Sequence, residues 1–423
     1  MNKVKLGELL RVKRGKSLPG KFYATTGSLI RLTLGNFDYP DGGFKKNTSK
    51  SDLFYLGPVE SEFILKKGDL ITPLTEQVAG LLGEVAVIPE SDLYIQSGDV
   101  GLLVPFVDKL DSNFARYLVA SCYVKKQLGQ AAQQTKIRHT SPEAIENCLV
   151  WAPALDEQKY IGRLLAEIDD KIELNKRMMR ELEDTARLIY DYWFTQFDFP
   201  DENGKPYRSS GGKMVYSKTL KREIPEGWEA GLMSDLGSVV SGATPSTGDS
   251  SNYADEGIAW ITPNDLSDND SFMHISHGKR DVSGVGLASC SAVMMPAGST
   301  IMSSRAPIGY LAVAETACCT NQGCKSLVAD AGYPSYFNFF TVQRLMPFIK
   351  SQGAGTTFAE VSKEDFASVR LAKPPKGMAE RFEKIVLPLC ENSKRLQQEA
   401  AELSSLRDWL LPMLMNGQVS ISG

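Results

Sequence analysis

Histidine is scarce in this chain, with only His139, His274 and His277 among 423 residues. So few cannot sensibly serve a Ser/His/Asp arrangement, and none completes a zinc spacing with the cysteines. The seven cysteines form no CxxC pair. Even the cluster Cys318, Cys319 and Cys324 reads as buried reduced thiols, because free cysteine behaves as a small hydrophobe. Other absences narrow the field further. There is no N-P-P-Y/F or D-P-P-Y methyltransferase tetrad, no GxGxG cofactor loop and no Asp-rich nuclease core. No apolar run reaches 18 residues, and the opening MNKVKLGELLRVKRGK lacks the apolar stretch of a signal peptide. The expectation is a soluble, cytoplasmic, non-catalytic protein with no membrane contact and no cofactor or metal of its own. The net charge of −4 also excludes a basic sink of the histone kind. Nucleic-acid binding would have to rely on local basic patches and shape, or on partner subunits that neutralise phosphates.

What is present is written twice. After Val150, apolar residues recur at Ile161, Leu165, Ile168, Ile172, Met179, Leu182, Ala186, Ile189 and Trp193. A shift of 221 residues gives Phe382, Val386, Leu389, Ser393, Ala400, Leu403, Arg407, Leu410 and Leu414, with Asn175 and Leu396 in the intervening slot. Alternating steps of three and four are the seam of a coiled-coil helix. The same shift pairs Thr135 with Thr356, Ser141 with Ser362 and Pro153 with Pro374. A repeat this long means two whole domains, each followed by a long helix. A two-fold chain suits a two-fold or bipartite target.

Within residues 1–154, short strands are expected at 28–34, 62–65, 70–74, 82–88, 94–96 and 100–105, then a helix near 113–128. Residues 227–376 repeat that order, with strands at 258–261, 292–295, 300–303, 308–314 and 325–329 and a helix over 336–351. Gly68 answers Gly298, and GEVAV at 83–87 answers GYLAV at 309–313. The long helices cover about 156–197 and 378–415, and the simplest partner for each is the other. Asn175 and Arg407 on the seam either fix register or mark a hydrated position. The polar stretch between the repeats reads as a turn-rich link. The resulting division is a first β-rich domain at 1–154, a helix at 155–198, a connector at 199–226, a second domain at 227–376, a helix at 377–417 and a tail at 418–423.

Several loops carry candidate contact residues. GKSLPGK at 15–21 fits the phosphate-cradling pattern, but Phe22 follows where Ser or Thr is needed, and strand follows where a helix is needed. A basic loop touching phosphate through Arg14, Lys16 and Lys21 is the better reading, beside plain solvated charge. SSRAPIG at 303–309 places Ser304 and Arg305 on a turn. Such an Arg either grips guanine or phosphate or pairs with a neighbouring acid. Asn321 and Gln322 read adenine edges or bond their own turn. GQAAQQTKIRH (129–139) offers Gln134, Lys136 and Arg138, and QGAGTTF (352–358) offers Thr356 and Thr357. These loops are groove contacts or mere connections.

Taken together, SGATPS (241–246), GIAWITPNDL (257–266), GSTIMSSRAPIG (298–309), TNQGCK (320–325), GTTFAEVSKEDF (355–366) and the connector ending LKREIPEGW are similar to the specificity subunit of type I restriction–modification systems. The first repeat departs by carrying TPLTEQVAGLLGEV (72–85) in place of the RAPIG string. The resemblance implies an α+β fold of two β-rich α/β target-recognition domains in tandem, each followed by a long helix, the two helices packing as an antiparallel coiled coil. It implies a DNA-binding adaptor, each domain reading half of a bipartite, asymmetric double-stranded site while the helices set the gap. Two modification subunits would dock on the helices, with Ile161, Leu165, Ile168, Ile172, Leu182, Phe382, Val386, Leu389, Leu403 and Leu410 as the seam. Restriction subunits would join them. S-adenosylmethionine, ATP and Mg are expected on those partners. The alternatives are a protein-binding coiled-coil scaffold and a self-sufficient methyltransferase or nuclease.

Overall fold

The computed structural model describes residues 3–39, 42–76, 80–131, 138–269, 272–353 and 359–419. The chain forms two compact units, Met1–Ile172 with Glu402–Gly423, and Glu173–Ala401. Each of the two long helices, Leu155–Tyr190 and Lys376–Met415, therefore contributes to both. This differs from the sequence expectation, in which the helices stood apart from the β-rich domains. The cause is burial: Ile161 and Leu165 are fully buried in the first unit's core, and Phe382 and Val386 in the second's.

In the first unit, Leu10–Arg14 alternates Leu10 and Val12 inward with Arg11, Lys13 and Arg14 outward, the period of a half-buried strand. It pairs antiparallel with Val100–Pro105, which pairs with Leu70–Pro73, which pairs with Ala86–Val87. A second sheet runs Tyr23–Ala24, Phe54–Tyr55, Ile30–Arg31, Tyr94–Ile95, its last pair parallel. Helices Ser112–Ala120 and Cys122–Ala131 cover the core. Asp111 caps the first of these by accepting from the Phe114 amide at 3.0 Å.

The second unit repeats the topology. Its larger sheet runs Ser238–Ser241, Cys324–Val328, Thr300–Ser303, Leu311–Ala314, with His274–Ile275 added at the edge. Its smaller sheet runs Tyr253–Ala254, Asp281–Val282, Ile258–Ile261, Cys318–Thr320, again with its last pair parallel. The strand expected at 292–295 is only an isolated bridge at Met295. Gly68 and Gly298 do occupy matching turns, with φ of +92° and +83°, a region that only glycine enters freely. Helix capping is solved differently in the two units. In the second, Glu383 accepts from the amides of Tyr336 and Phe337 at the start of Ser335–Ser351. Its repeat counterpart is Gly162, where a Cβ would lie 2.6 Å from the Phe114 nitrogen.

The turn-rich link between the repeats carries structure of its own. It folds, with a hairpin of Met214–Ser217 and Arg222–Pro225, and Phe199 stacks on Tyr207 and Trp228 at 4.7 and 5.6 Å. Burying a large aromatic side chain contributes about 1.5–3 kcal/mol, enough to dock a polar segment. The first long helix runs on to Thr195 through a last turn of different geometry. A π-helical turn, Asp191–Thr195, follows Tyr190 and brings Trp193 and Phe194 against Phe337, Phe340 and Phe382.

Most seam residues are buried, with Leu182, Ile189, Leu389, Leu403, Arg407 and Leu410 only partly so. Pairings inside each unit run antiparallel. In the second, Asn175 donates to Glu399 at 3.1 Å and Ser393 to Glu183 at 2.6 Å. In the first, Ile161 and Leu165 share a core with Leu414, while Asp169 meets Arg407 at 3.0 Å. Asn175 and Arg407 thus each meet a carboxylate on the facing helix.

Candidate nucleic-acid interface

In the second unit a corner forms where Thr300–Ser303 ends, the chain turns, and Cys324–Val328 begins. Ser304 is fully buried; its hydroxyl donates to the Gly323 carbonyl at 3.1 Å and accepts from Lys325 Nζ at 3.2 Å. This corrects the expectation for Ser304: the side chain holds the loop and presents nothing at the surface. Arg305 is the exposed member, and it bridges antiparallel to Glu360. Its Nη1 lies 3.7 Å from Glu360 Oε2, while Lys325, nearly buried, reaches Glu360 Oε1 at 3.4 Å. The sequence left open whether Arg305 met a ligand or a neighbouring acid. It has the acid beside it and remains 39% exposed.

Asn321 closes its turn by accepting from the Gly323 amide at 2.9 Å. Gln322 is exposed and accepts from Thr244 at 2.5 Å. Gly323 permits this packing, since a Cβ there would come within 3.2 Å of Arg305 Nε and 2.8 Å of Pro263.

The first unit presents the topologically matching corner with other side chains. Arg14 is exposed and donates from Nε to the Gly98 carbonyl at 3.0 Å. Lys16 is paired with Glu60, and that hydrogen bond raises its pKa above the usual lysine value. Lys21 lies 5.0 Å over the Phe22 ring. The segment 15–21 leads through a 3-10 turn, Gly20–Phe22, into a strand, so no long helix delivers a dipole to it. Thr75 pairs with His139 where Arg305 pairs with Glu360 in the second unit. Of Arg138, the backbone pairs with Glu76. Gln134, Lys136, Thr356 and Thr357 lie outside the described residues.

Sequence reasoning missed a cleft of about 930 Å³ next to Arg14, lined by Arg31, Lys45, Lys50, Tyr23 and Tyr39 among others. Arg31 stacks 3.8 Å over Tyr23 and pairs with Asp52 at 3.3 Å. In the second unit Arg280 stacks 3.5 Å over Tyr253, the residue in the matching strand. The available signal was the run of Lys45, Lys46 and Lys50 after Tyr39, a basic patch with an aromatic residue beside it.

Among the described residues, no group of three or more His, Cys, Asp or Glu could hold a metal, and no helix is long and apolar enough to cross a membrane. Cys318 and Cys319 are buried, which pushes their thiols up to about 12 and 11.

The family model for the type I restriction modification DNA specificity domain matches residues 1–184 and again 225–401. The chain is 30% identical over 203 residues to the type I restriction enzyme MjaIX specificity subunit of Methanocaldococcus jannaschii, a match spanning 46% of each chain. It is 22% identical over 413 residues to the HindI specificity subunit of Haemophilus influenzae, spanning 86% of this chain and 89% of that one. The crystal structure of a type I restriction-modification S subunit from M. genitalium has the same fold, with a TM-score of 0.60 at 14% identity over 98% of this chain and 96% of the other.

Proposed function

The chain belongs to the type I restriction modification DNA specificity family, and from that membership we propose that it is the DNA-reading subunit of such a system. Each unit reads one half of a bipartite double-stranded site. The two long helices set the unread gap and dock two modification subunits, which restriction subunits join. The chain itself is non-catalytic and works in the cytoplasm. S-adenosylmethionine, ATP and Mg belong to the partner subunits, which supply adenine methylation, translocation and cleavage.

One observation carries this reading. Two units of like strand order present the same corner with different chemistry, Arg305 beside a rim Glu360 in one, Thr75 with His139 and a buried Glu76 in the other. A shared scaffold with unlike rims suits two unlike half-sites, because base edges are distinguished by donor and acceptor pattern. The helices, 36 and 40 residues long, reach about 54 and 60 Å at 1.5 Å per residue. One to two duplex turns, roughly 34–36 Å each, fall within what such helices can span.

The test is to co-express the chain with its modification subunits and map methylated adenines across the host genome. The expected result is one motif of two unlike halves at a fixed spacing. Purified chain that methylates or cuts DNA alone would establish the self-sufficient enzyme. A complex that binds its partners but shows no salt-dependent shift of DNA would establish the protein scaffold.

A further inference from the structure

The corner of the second unit holds a donor and an acceptor side by side. Arg305 and Glu360 are exposed to similar extents, 39% and 41%, and their nearest charged atoms lie 3.7 Å apart. That is longer than a hydrogen bond, so neither group saturates the other. Beneath them Lys325, with its side chain 6% exposed, contacts the second carboxylate oxygen of Glu360 at 3.4 Å. Lys325 is itself held by the Ser304 hydroxyl at 3.2 Å and the Gln322 carbonyl at 3.1 Å. Glu360 therefore has one oxygen anchored from below and the other at the rim.

A carboxylate facing DNA would ordinarily be repelled by phosphate. Here two cations flank one acid, so the trio carries a net positive charge and the acid is tolerated. The chemistry on offer is a planar donor fork next to a fixed acceptor. In the major groove that pattern is complementary to one base pair: guanine presents O6 and N7 as acceptors, and cytosine presents N4–H as donor. An adenine–thymine pair presents the N7 acceptor, the N6–H donor, the O4 acceptor and the thymine methyl group, so no two adjacent acceptors meet both arms of the fork.

We propose that Arg305 and Glu360 together read a single G·C pair, guanine on Arg305 and cytosine on Glu360, and that Lys325 is the positioning residue that holds Glu360 for this contact. The inference rests on the DNA-reading function proposed above. It also bears on the asymmetry of the target, because the matching ladder in the first unit pairs Thr75 with His139 and Arg138 with Glu76, and the Glu76 carboxylate is buried, accepting from the amides of Gly80 and Leu82.

The experiment uses the whole complex, the chain with its modification subunits, and maps methylated motifs for wild type, Arg305→Ala, Glu360→Ala, Lys325→Met and the double variant Lys325→Met with Glu360→Ala. Arg305→Ala and Glu360→Ala should each lose discrimination at the same single G·C pair, by roughly 5- to 150-fold, since a good base contact is worth about 1–3 kcal/mol. The other half-site and the gap should not change. Lys325→Met should give a smaller loss at that same pair and add nothing to Glu360→Ala, a pattern that general loosening of the loop would not produce. Should Glu360→Ala fail to assemble, Glu360→Gln keeps the shape and is expected to shift preference at that pair toward adenine, the base that amide side chains grip. A wild-type complex with no bipartite motif would overturn the functional reading itself. A clear motif in which Arg305→Ala and the Glu360 variant act at different positions, act equally at all positions, or act at none overturns this assignment alone.

Discussion

Asp169 tests how the helices are held. Its carboxylate, 11% exposed, accepts from Tyr117 Oη at 2.6 Å and pairs with Arg116 and Arg407, each at 3.0 Å. Asp169→Ala removes the acceptor shared by all three. Breaking a buried pair by deleting one partner costs about 3–5 kcal/mol, because the stranded charge stays desolvated. The arginines here are 24% and 19% exposed, and Arg407 keeps Asp408 at 2.8 Å, so relief by water and by that partner places the effect near 3 kcal/mol. Adding Arg407→Met removes one stranded cation. The double variant should therefore cost less than the sum of the singles, by about 1–2 kcal/mol. The fold itself accepts an apolar residue at the equivalent position, since the counterpart 221 residues later is Cys390, buried among hydrophobic side chains. Two units make a single unfolding free energy ill defined, so the assay is hydrogen exchange resolved by segment at increasing urea. Protection should fall in 112–120, 155–172 and 402–415 and hold in the second unit. A cost below about 1 kcal/mol, or strict additivity in the double variant, would refute the account of a shared buried acceptor.

Inserting seven residues after Ile172 and seven after Ala401 leaves each unit's internal contacts intact. It should lengthen the unread gap by about three base pairs, from roughly 10 Å of helix rise, with both half-sites unchanged in the methylation map; altered half-sites at a fixed gap would refute the spacer role. Burial, with Lys394 adding to it, lowers the pKa of His274 to about 4. The folded state then binds fewer protons than the unfolded one between pH 6.5 and 4. Stability of the second unit is full above 6.5 and falls by about 3 kcal/mol as pH drops through that window. His274→Gln should flatten this pH dependence in urea melts, and an unchanged slope would place the effect elsewhere. A thiol reagent should label Cys122 first in the native protein and reach Cys148, Cys318, Cys319, Cys324 and Cys390 only on unfolding, as mass spectrometry of modified peptides would show.

The long helices and the duplication were legible because each depends on local periodicity. A step of three or four residues places a side chain on one face wherever the helix occurs, and the same shift aligned Ser141 with Ser362, which cap matching short helices in the two repeats. Strands such as Ile258–Ile261 and Thr300–Ser303 were likewise readable from short apolar runs between turn signals. The site was less so. Ser304 and Arg305 are both polar neighbours, yet one is fully buried and the other is on the rim, an arrangement set by the turn and by Gly323. Glu360 and Lys325 lie 55 and 20 residues beyond Arg305, and only strand pairing brings them to it. The cleft around Arg14 and Lys50 has the same cause. Local spacing determines which face a residue occupies, whereas ion pairs, stacks and rims form between segments distant in the chain, and their partners are chosen by tertiary packing.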